Sequence, residues 1–337
     1  METKLLHQGE EKLAAEILAA GGLVALPTET VYGLGADGLN EEAIKKIFIA
    51  KGRPADNPLI LHIAEPQDIL DLVLTLPPKA STLIDEFWPG PLTVILPKTK
   101  TVPSAVSADL PNVAVRCPAN ESIRLVIKYL KRPIAAPSAN ISGKPSPTKV
   151  SHVLQDLNGK IDAILDGGDC ELGLESTVVS FVSKAPCILR PGSITKEQME
   201  DLVGDIAVDP AVLGRIKQGQ KALSPGMKYT HYAPRAKVVV VKADKETYID
   251  FVNKNSSENI LSLCFEEDKA RINGKSISYG KEKDTTSQAN LFFDALRKID
   301  NLPEIELVYA RCPYMQGVGL AVYNRLIRAA GFEVIEL

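Results

Sequence analysis

Short apolar runs closed by proline, glycine or a charge recur along this chain, with helical patterns between them. Residues 23–26 stop at Pro27, and 59–63, 92–96, 113–116, 134–136, 163–165, 177–181 and 188–189 follow as buried strands. Residues 9–20, 40–50, 66–74, 79–87, 120–131 and 148–157 carry apolar side chains at helical spacing. Asn40 is suited to cap the second of these helices, and Gly21-Gly22 to stop the first. Many strands with few tight hairpins argue for an α/β sheet with helices packed on it.

Residues 205–236 interrupt the rhythm. Lys217-Gln218-Gly219-Gln220-Lys221 is polar and runs into Ser224-Pro225-Gly226-Met227-Lys228-Tyr229-Thr230-His231-Tyr232-Ala233-Pro234. A plain tether would be rich in glycine and serine or charged. This one carries tyrosines, a histidine and a lysine, side chains that make contacts. The pattern then restarts: strands at 237–241, 260–264, 305–309 and 334–337 alternate with helices at 244–254, 285–299 and 318–330. That order predicts a small parallel-sheet domain. Residues 265–284 show no period and read as loop. The expected organisation is an N-terminal domain over 1–204, a linker over 205–236 and a C-terminal domain over 237–337.

At 337 residues the chain is long enough for two cores. Its 39 basic and 42 acidic residues leave a net charge of −3, so it is not a basic nucleic-acid coat. Aromatic residues are too sparse for a surface that stacks many bases. The cysteines, Cys117, Cys170, Cys187, Cys264 and Cys312, are odd in number and form no C-x-x-C pair. They read as buried thiols in a reducing compartment. No basic-then-apolar leader opens the sequence, and no apolar run reaches the ~20 residues of a membrane span. A cytoplasmic protein that engages no membrane is expected.

The chemistry-bearing residues gather at strand ends. Gly33-Leu34-Gly35-Ala36-Asp37-Gly38 matches the G-x-G-x-x-G of dinucleotide folds, which would make an oxidoreductase. The first glycine of that fingerprint comes straight off a strand, however, whereas here residues 27–32 intervene. Those residues, Pro27-Thr28-Glu29-Thr30-Val31-Tyr32, are either a turn that satisfies its own backbone or a ligand-binding loop. Lys51 and Arg53 close a helix, where they complement its dipole or form a cationic pair for phosphates. Asn57, caged by the prolines Pro54 and Pro58, is a fixed hydrogen-bonding group. Arg116 ends a strand, where it pairs with a neighbouring carboxylate or clamps a ligand carboxylate. Ser138 and Asn140, two apart in an extended segment, project to one side. Glu175-Ser176-Thr177 and Leu189-Arg190-Pro191-Gly192 add polar groups at further strand boundaries. No Walker A, H-E-x-x-H, G-x-S-x-G or metal-ligand cluster is present.

In order, Pro27-Thr28-Glu29-Thr30-Val31-Tyr32-Gly33-Leu34, Lys51-Gly52-Arg53-Pro54, Asn57-Pro58-Leu59, Ala136-Pro137-Ser138-Ala139-Asn140, Glu175-Ser176-Thr177 and Leu189-Arg190-Pro191-Gly192 form a specific set. It strongly resembles the YrdC-like threonylcarbamoyl-AMP synthases, whose marker pairs are here Lys51/Arg53 and Ser138/Asn140. The Ser224 to Pro234 linker and the second α/β domain resemble the long, two-domain subfamily. The resemblance implies an N-terminal YrdC-like twisted mixed sheet with flanking helices and a smaller Rossmann-like parallel C-terminal domain.

It also implies the reaction of L-threonine, bicarbonate and ATP to threonylcarbamoyl-AMP and pyrophosphate, with Mg2+ accompanying ATP. A downstream tRNA threonylcarbamoyltransferase complex, met transiently, would use the product beside the anticodon. Weak tRNA contact is allowed. By the same resemblance, Lys51, Arg53, Ser138 and Asn140 are catalytic. Arg53, Asn57, Ser138, Ser146, Arg190, His231 and Tyr232 hold ATP. Thr30, His62, Arg116 and Ser176 surround threonine. No protein metal ligand is implied. Lys228, His231 and Tyr232 would let the linker close as a lid over labile intermediates. The competing reading is a regulatory ATP- or RNA-binding relative without synthase activity.

Overall fold

The computed structural model describes residues 2–214 and 232–337. Two sheets organise them. From edge to edge, the large one runs Lys4–Leu6, Ala163–Leu165, Val24–Leu26, Gly33–Asp37, Ile134–Ala135, Ile60–His62, Asn112–Arg116, Leu92–Pro97, Thr177–Ser180, Cys187–Arg190 and Ala207–Val208. It is mixed: Ile60–His62 pairs parallel with Asn112–Arg116, while Val24–Leu26 pairs antiparallel with Gly33–Asp37.

Apolar residues fill both faces because helices cover both. Val24, Leu26 and Ile134 point to the face covered by Glu11–Ala19 and Glu121–Leu130, where they meet Leu18, Ile123 and Val126. Their neighbours Ala25 and Ala135 point the other way, with Ile44 and Ile47 of the helix Glu41–Lys51. The two-residue alternation of strand side chains thus serves two cores at once. The helix Glu41–Lys51 starts where Asn40 Oδ1 accepts from the Glu42 and Ala43 amides at 3.1 and 3.2 Å, and it stops at Gly52 with φ of 59°. Lys51 is thereby delivered to a fixed place at the end of its last turn.

The glycine pattern at 33–38 belongs to this packing. It forms a strand, and a Cβ on Gly35 would lie 2.9 Å from the Leu26 side chain and 3.1 Å from the Val24 carbonyl. Close strand pairing, and not a phosphate, requires the missing side chain.

Three further elements differ from the sequence reading. The helical pattern at 66–74 is a 3-10 helix, Pro66–Asp71, held at its start by Asp68 accepting from the Glu65 amide. The large sheet continues past residue 204, since Ala207–Val208 pairs with Cys187 and Ile188. Within 265–284 lies a strand, Lys275–Ser278, on the edge of the second sheet.

The second sheet runs Lys275–Ser278, Ile260–Cys264, Leu307–Arg311, Lys237–Lys242 and Val334–Glu336, and its strands are parallel throughout. The helices Thr285–Asp300 and Val318–Ala329 cover one face with Phe292, Leu296, Val322 and Leu326. The outer sides of the same helices dock on the first domain. Arg297 donates to Asp156 Oδ2 at 3.0 Å and to the Pro145 carbonyl at 2.6 Å, with both side chains buried. Asn290 donates to the Glu171 carbonyl at 2.7 Å, and Asn324 to that of Val212 at 2.6 Å. Gly173, at φ of 76°, lies so close to this helix that a Cβ there would be 2.5 Å from Asn290 Cα.

Candidate active site

Strand ends of the large sheet converge on one cleft of about 740 Å³, counted to its mouth. That is the size of a small-ligand site. Thr30, Lys51, Arg53, His62, Arg116, Ser138, Asn140, Ser176, Arg190 and Tyr232 line it together. These residues span most of the N-terminal sequence, and the crossing order of the strands brings them to one place. Asn57 and Ser146 are buried behind the wall and do not line it. His231 and Lys228 lie outside the described residues.

The wall is cationic. Lys51, Arg53, Arg116, Lys144 and Arg190 stand against one lining carboxylate, Glu175. Lys51 is buried, and its Nζ donates to the carbonyls of Ser138 and, at 2.6 Å, Asn140. Burial, and then the Arg53 charge, push its pKa well below the usual lysine value. Arg53 donates through Nη2 to the carbonyls of Asn57 and Pro58, both at 3.2 Å. Arg190 donates to the Ser176 carbonyl at 3.0 Å and to its hydroxyl at 3.1 Å. Burial lowers both arginines to about 10.

Ser138 and Asn140 do share a side: the serine hydroxyl donates to Asn140 Oδ1 at 2.5 Å. The asparagine amide donates to the carbonyls of Ile141 and Lys144 at 2.8 and 2.9 Å. Asn140 therefore shapes the loop that also receives Lys51. Thr28 shapes the opposite loop, accepting from the Thr30 and Val31 amides at 3.1 Å each and donating to the Val31 carbonyl at 2.6 Å.

At the other end of the cleft, Arg116 donates to Glu29 Oε1 at 2.6 Å, Thr30 Oγ1 at 2.9 Å and the Gly90 carbonyl at 3.3 Å. His62 lies beside it. Burial, and then the Arg116 charge, bring its pKa down to about 3, so the imidazole is neutral near pH 7. Ser176 Oγ shares a hydrogen bond with Thr93 Oγ1 at 2.7 Å. Glu29 Oε2, Arg53 Nε, Asn57 Oδ1 and His62 Nδ1 are buried without a hydrogen-bond partner among the described residues. Such atoms are costly to leave unsatisfied; Arg53 and His62 line the cleft, while Glu29 and Asn57 bond to its lining arginines Arg116 and Arg53.

The linker's last residues close one side. Tyr232, at φ of 68°, lines the cleft while its ring packs 5.1 Å from that of Phe293 in the C-terminal domain. The Ala233 amide donates to the Gly143 carbonyl at 3.0 Å, tying the linker to the Ser138–Lys144 loop.

Sequence reasoning did not single out Lys144 or Thr93, nor Glu29 and Glu175 as partners of particular cations. Glu29 and Glu175 sit inside quoted motifs, but their partners are about 87 and 150 residues away in the chain, a distance no spacing rule spans.

A twisted α/β sheet with buried cations around a nucleotide-sized cleft defines a class: proteins that bind a polyanion together with a small polar substrate. Comparison with known proteins narrows it. The family model described as "Telomere recombination" (Sua5, YciO and YrdC) matches residues 16–192, and "Threonylcarbamoyl-AMP synthase, C-terminal domain" matches 194–331. The chain is 45% identical to the threonylcarbamoyl-AMP synthase of Pyrococcus abyssi, over 98% of this chain and 97% of that one. It is also 45% identical to the Bacillus subtilis synthase, over 96% and 93%. The crystal structure of P. abyssi Sua5 complexed with L-threonine superposes with a TM-score of 0.89 at 40% identity, covering all of both chains. The chain belongs to the threonylcarbamoyl-AMP synthase family, in its long two-domain form.

Proposed function

We propose that this chain makes threonylcarbamoyl-AMP and pyrophosphate from L-threonine, bicarbonate and ATP, for transfer of the threonylcarbamoyl group to tRNA next to the anticodon. The observation that carries the reading is the cleft that gathers Lys51, Arg53, Arg116 and Arg190, with Arg53 Nε and His62 Nδ1 buried and unpartnered among the described residues.

The reaction asks for positioning and charge neutralisation more than for a protein nucleophile. The threonine amine takes up bicarbonate as a carbamate, with loss of water. A carbamate oxygen then attacks the α-phosphorus, and pyrophosphate leaves with the electron pair of the broken P–O bond. Lys51 and Arg53 offset the triphosphate charge. Ser138 and Asn140 fix the loop that positions Lys51. Arg190 and Tyr232 face the nucleotide, and Asn57 and Ser146 support its site from behind through Arg53 and Glu175. Arg116 clamps the threonine carboxylate, with Thr30, His62 and Ser176 around its amine, hydroxyl and carbamate.

ATP enters as its magnesium complex. Among the described residues no group of three His, Cys, Asp or Glu side chains could hold an ion. The lining carboxylate Glu175 is engaged by Ser146 and Arg325. These residues do not fit a protein-held metal, so magnesium is treated as part of the nucleotide substrate.

We assign catalysis to residues 1–204 and closure to the linker 205–236, anchored by the domain 237–337. Handover of product to a tRNA-modifying complex is transient, tRNA contact is weak, and the setting is the cytoplasm. No described helix is long and apolar enough to cross a membrane.

The test is pyrophosphate release from magnesium and ATP, with and without L-threonine and bicarbonate, alongside mass spectrometry of the adenylate. Release that needs both, with threonylcarbamoyl-AMP detected, is the expected result. Threonine-independent ATP breakdown, or none in folded protein, would overturn it in favour of a regulatory ATP- or RNA-binding role.

A further inference from the structure

The C-terminal domain reaches the back of the cleft wall through the side chain of Arg325. Arg325, on the helix Val318–Ala329, is fully buried. Its Nε donates to Glu175 Oε2 at 3.0 Å, and its Nη2 to the Glu175 carbonyl at 3.2 Å. Its Nη1 donates to the Pro191 carbonyl and, at 3.2 Å, to Asn324 Oδ1. The other carboxylate oxygen, Glu175 Oε1, accepts from the Ser146 hydroxyl at 2.5 Å. Residues 175 and 191 directly flank Ser176 and Arg190, which bond to one another on the wall. Arg325 itself does not line the cleft.

Glu175 is the sole carboxylate among the described lining residues. Left uncompensated, it would repel a polyanion and draw the nearby Arg190 guanidinium to itself. Arg325, paired with it from behind, offsets that charge. Glu175 also accepts the Ser146 hydroxyl hydrogen bond, which fixes that side chain against the back of the wall.

We propose that Arg325 is a positioning residue for the synthase reaction, one by which the C-terminal domain keeps Arg190, and the Glu175–Ser146 pair behind it, set for ATP. This rests on the reading of Ser146 and Arg190 as groups of the ATP site. It gives the second domain a role in nucleotide affinity beyond anchoring the linker.

The experiment is steady-state kinetics on the full chain, varying ATP and threonine separately. Arg325→Lys keeps the charge but not the three-way fork. It should raise the ATP KM about tenfold and move the threonine KM less than about twofold. Arg325→Met, where it folds, should raise the ATP KM further. Adding Glu175→Gln to Arg325→Met removes both charges and should bring the ATP KM back to within about threefold of wild type. Lys275→Ala, which cuts an exposed ion pair with Glu304 at the edge of the second sheet, should leave both constants unchanged.

A folded Arg325→Lys variant with wild-type ATP KM would overturn the proposal. So would equal rises for both substrates, or a double variant tenfold or more above wild type, each about the size of one lost charged hydrogen bond. If Arg325→Met fails to fold, the lysine and double variants decide. Ser146→Ala and Arg190→Lys test the underlying reading. If they leave the ATP KM unchanged, the nucleotide assignment falls; if they raise it while Arg325→Lys does not, this inference alone falls.

Discussion

Arg116 and Glu29 meet at 2.6 Å with both side chains almost sealed from solvent, and the second oxygen of Glu29 has no partner among the described residues. The arginine assigned to the substrate carboxylate is thus already oriented by a resident carboxylate. Glu29 and Thr30 hold one edge of the guanidinium before threonine arrives, which lowers the ordering cost of binding.

Arg116→Lys therefore loses more than it keeps. An ammonium is a point charge and cannot serve Glu29, Thr30 and a substrate carboxylate together. The threonine KM is expected to rise by about tenfold or more, with the ATP KM little changed. Initial-rate measurements with each substrate varied in turn check this; a shift confined to ATP would reject the clamp.

His62 sets a pH dependence. Its pKa is about 3 in the folded protein against an ordinary 6.5, so between those values the unfolded chain binds the extra proton. Stability must therefore fall as pH drops from 6.5 toward 3. His62→Asn should remove that slope and lose about 2 kcal/mol less than wild type between pH 6.5 and 4.5. Urea unfolding at the two pH values measures the difference, and parallel losses would show that His62 is not the buried neutral group described.

Tyr232 is expected to protect intermediates more than to bind them. Tyr232→Phe keeps the packing on Phe293, whereas Tyr232→Ala removes it. In the alanine variant water reaches the carbamate and the mixed anhydride, so threonylcarbamoyl-AMP recovered per pyrophosphate released should fall. The phenylalanine variant should stay near wild type. An unchanged ratio in the alanine variant would mean that this end of the linker is only a tether.

The Arg297–Asp156 pair holds the domains together from a buried position. Arg297→Met leaves Asp156 facing Lys144 and the Ile141 amide alone. The expected cost is about 3–5 kcal/mol of unfolding free energy, read by urea denaturation. A loss under about 1 kcal/mol, the range of exposed pairs, would place the docking energy elsewhere.

The sequence made legible the residues that lie close together along the chain. Lys51 and Arg53 share a helix end, Ser138 and Asn140 share a loop, and the Asn40 cap is local. Elements without a local signal were hidden. Gly33–Asp37 is a strand whose glycines lack side chains to show a period. Lys275–Ser278 is a mostly polar edge strand, and Ala207–Val208 is too short to register. Asn57 and Ser146 read as wall residues but stand one layer behind it. That depth is set by tertiary packing, which no spacing along the chain records. The arginines from the second domain were invisible for the same reason, since Arg297 and Arg325 look like ordinary charges on amphipathic helices until the helices are docked.

Gly173 has a consequence for how this chain can change over time. With its backbone at φ of 76° and Asn290 Cα only 2.5 Å from where an added carbon would sit, position 173 admits hydrogen and nothing larger. A methyl there would wedge the two halves apart two residues from Glu175. As long as the 289–290 backbone keeps this approach, the two halves are tied to a glycine at this one position.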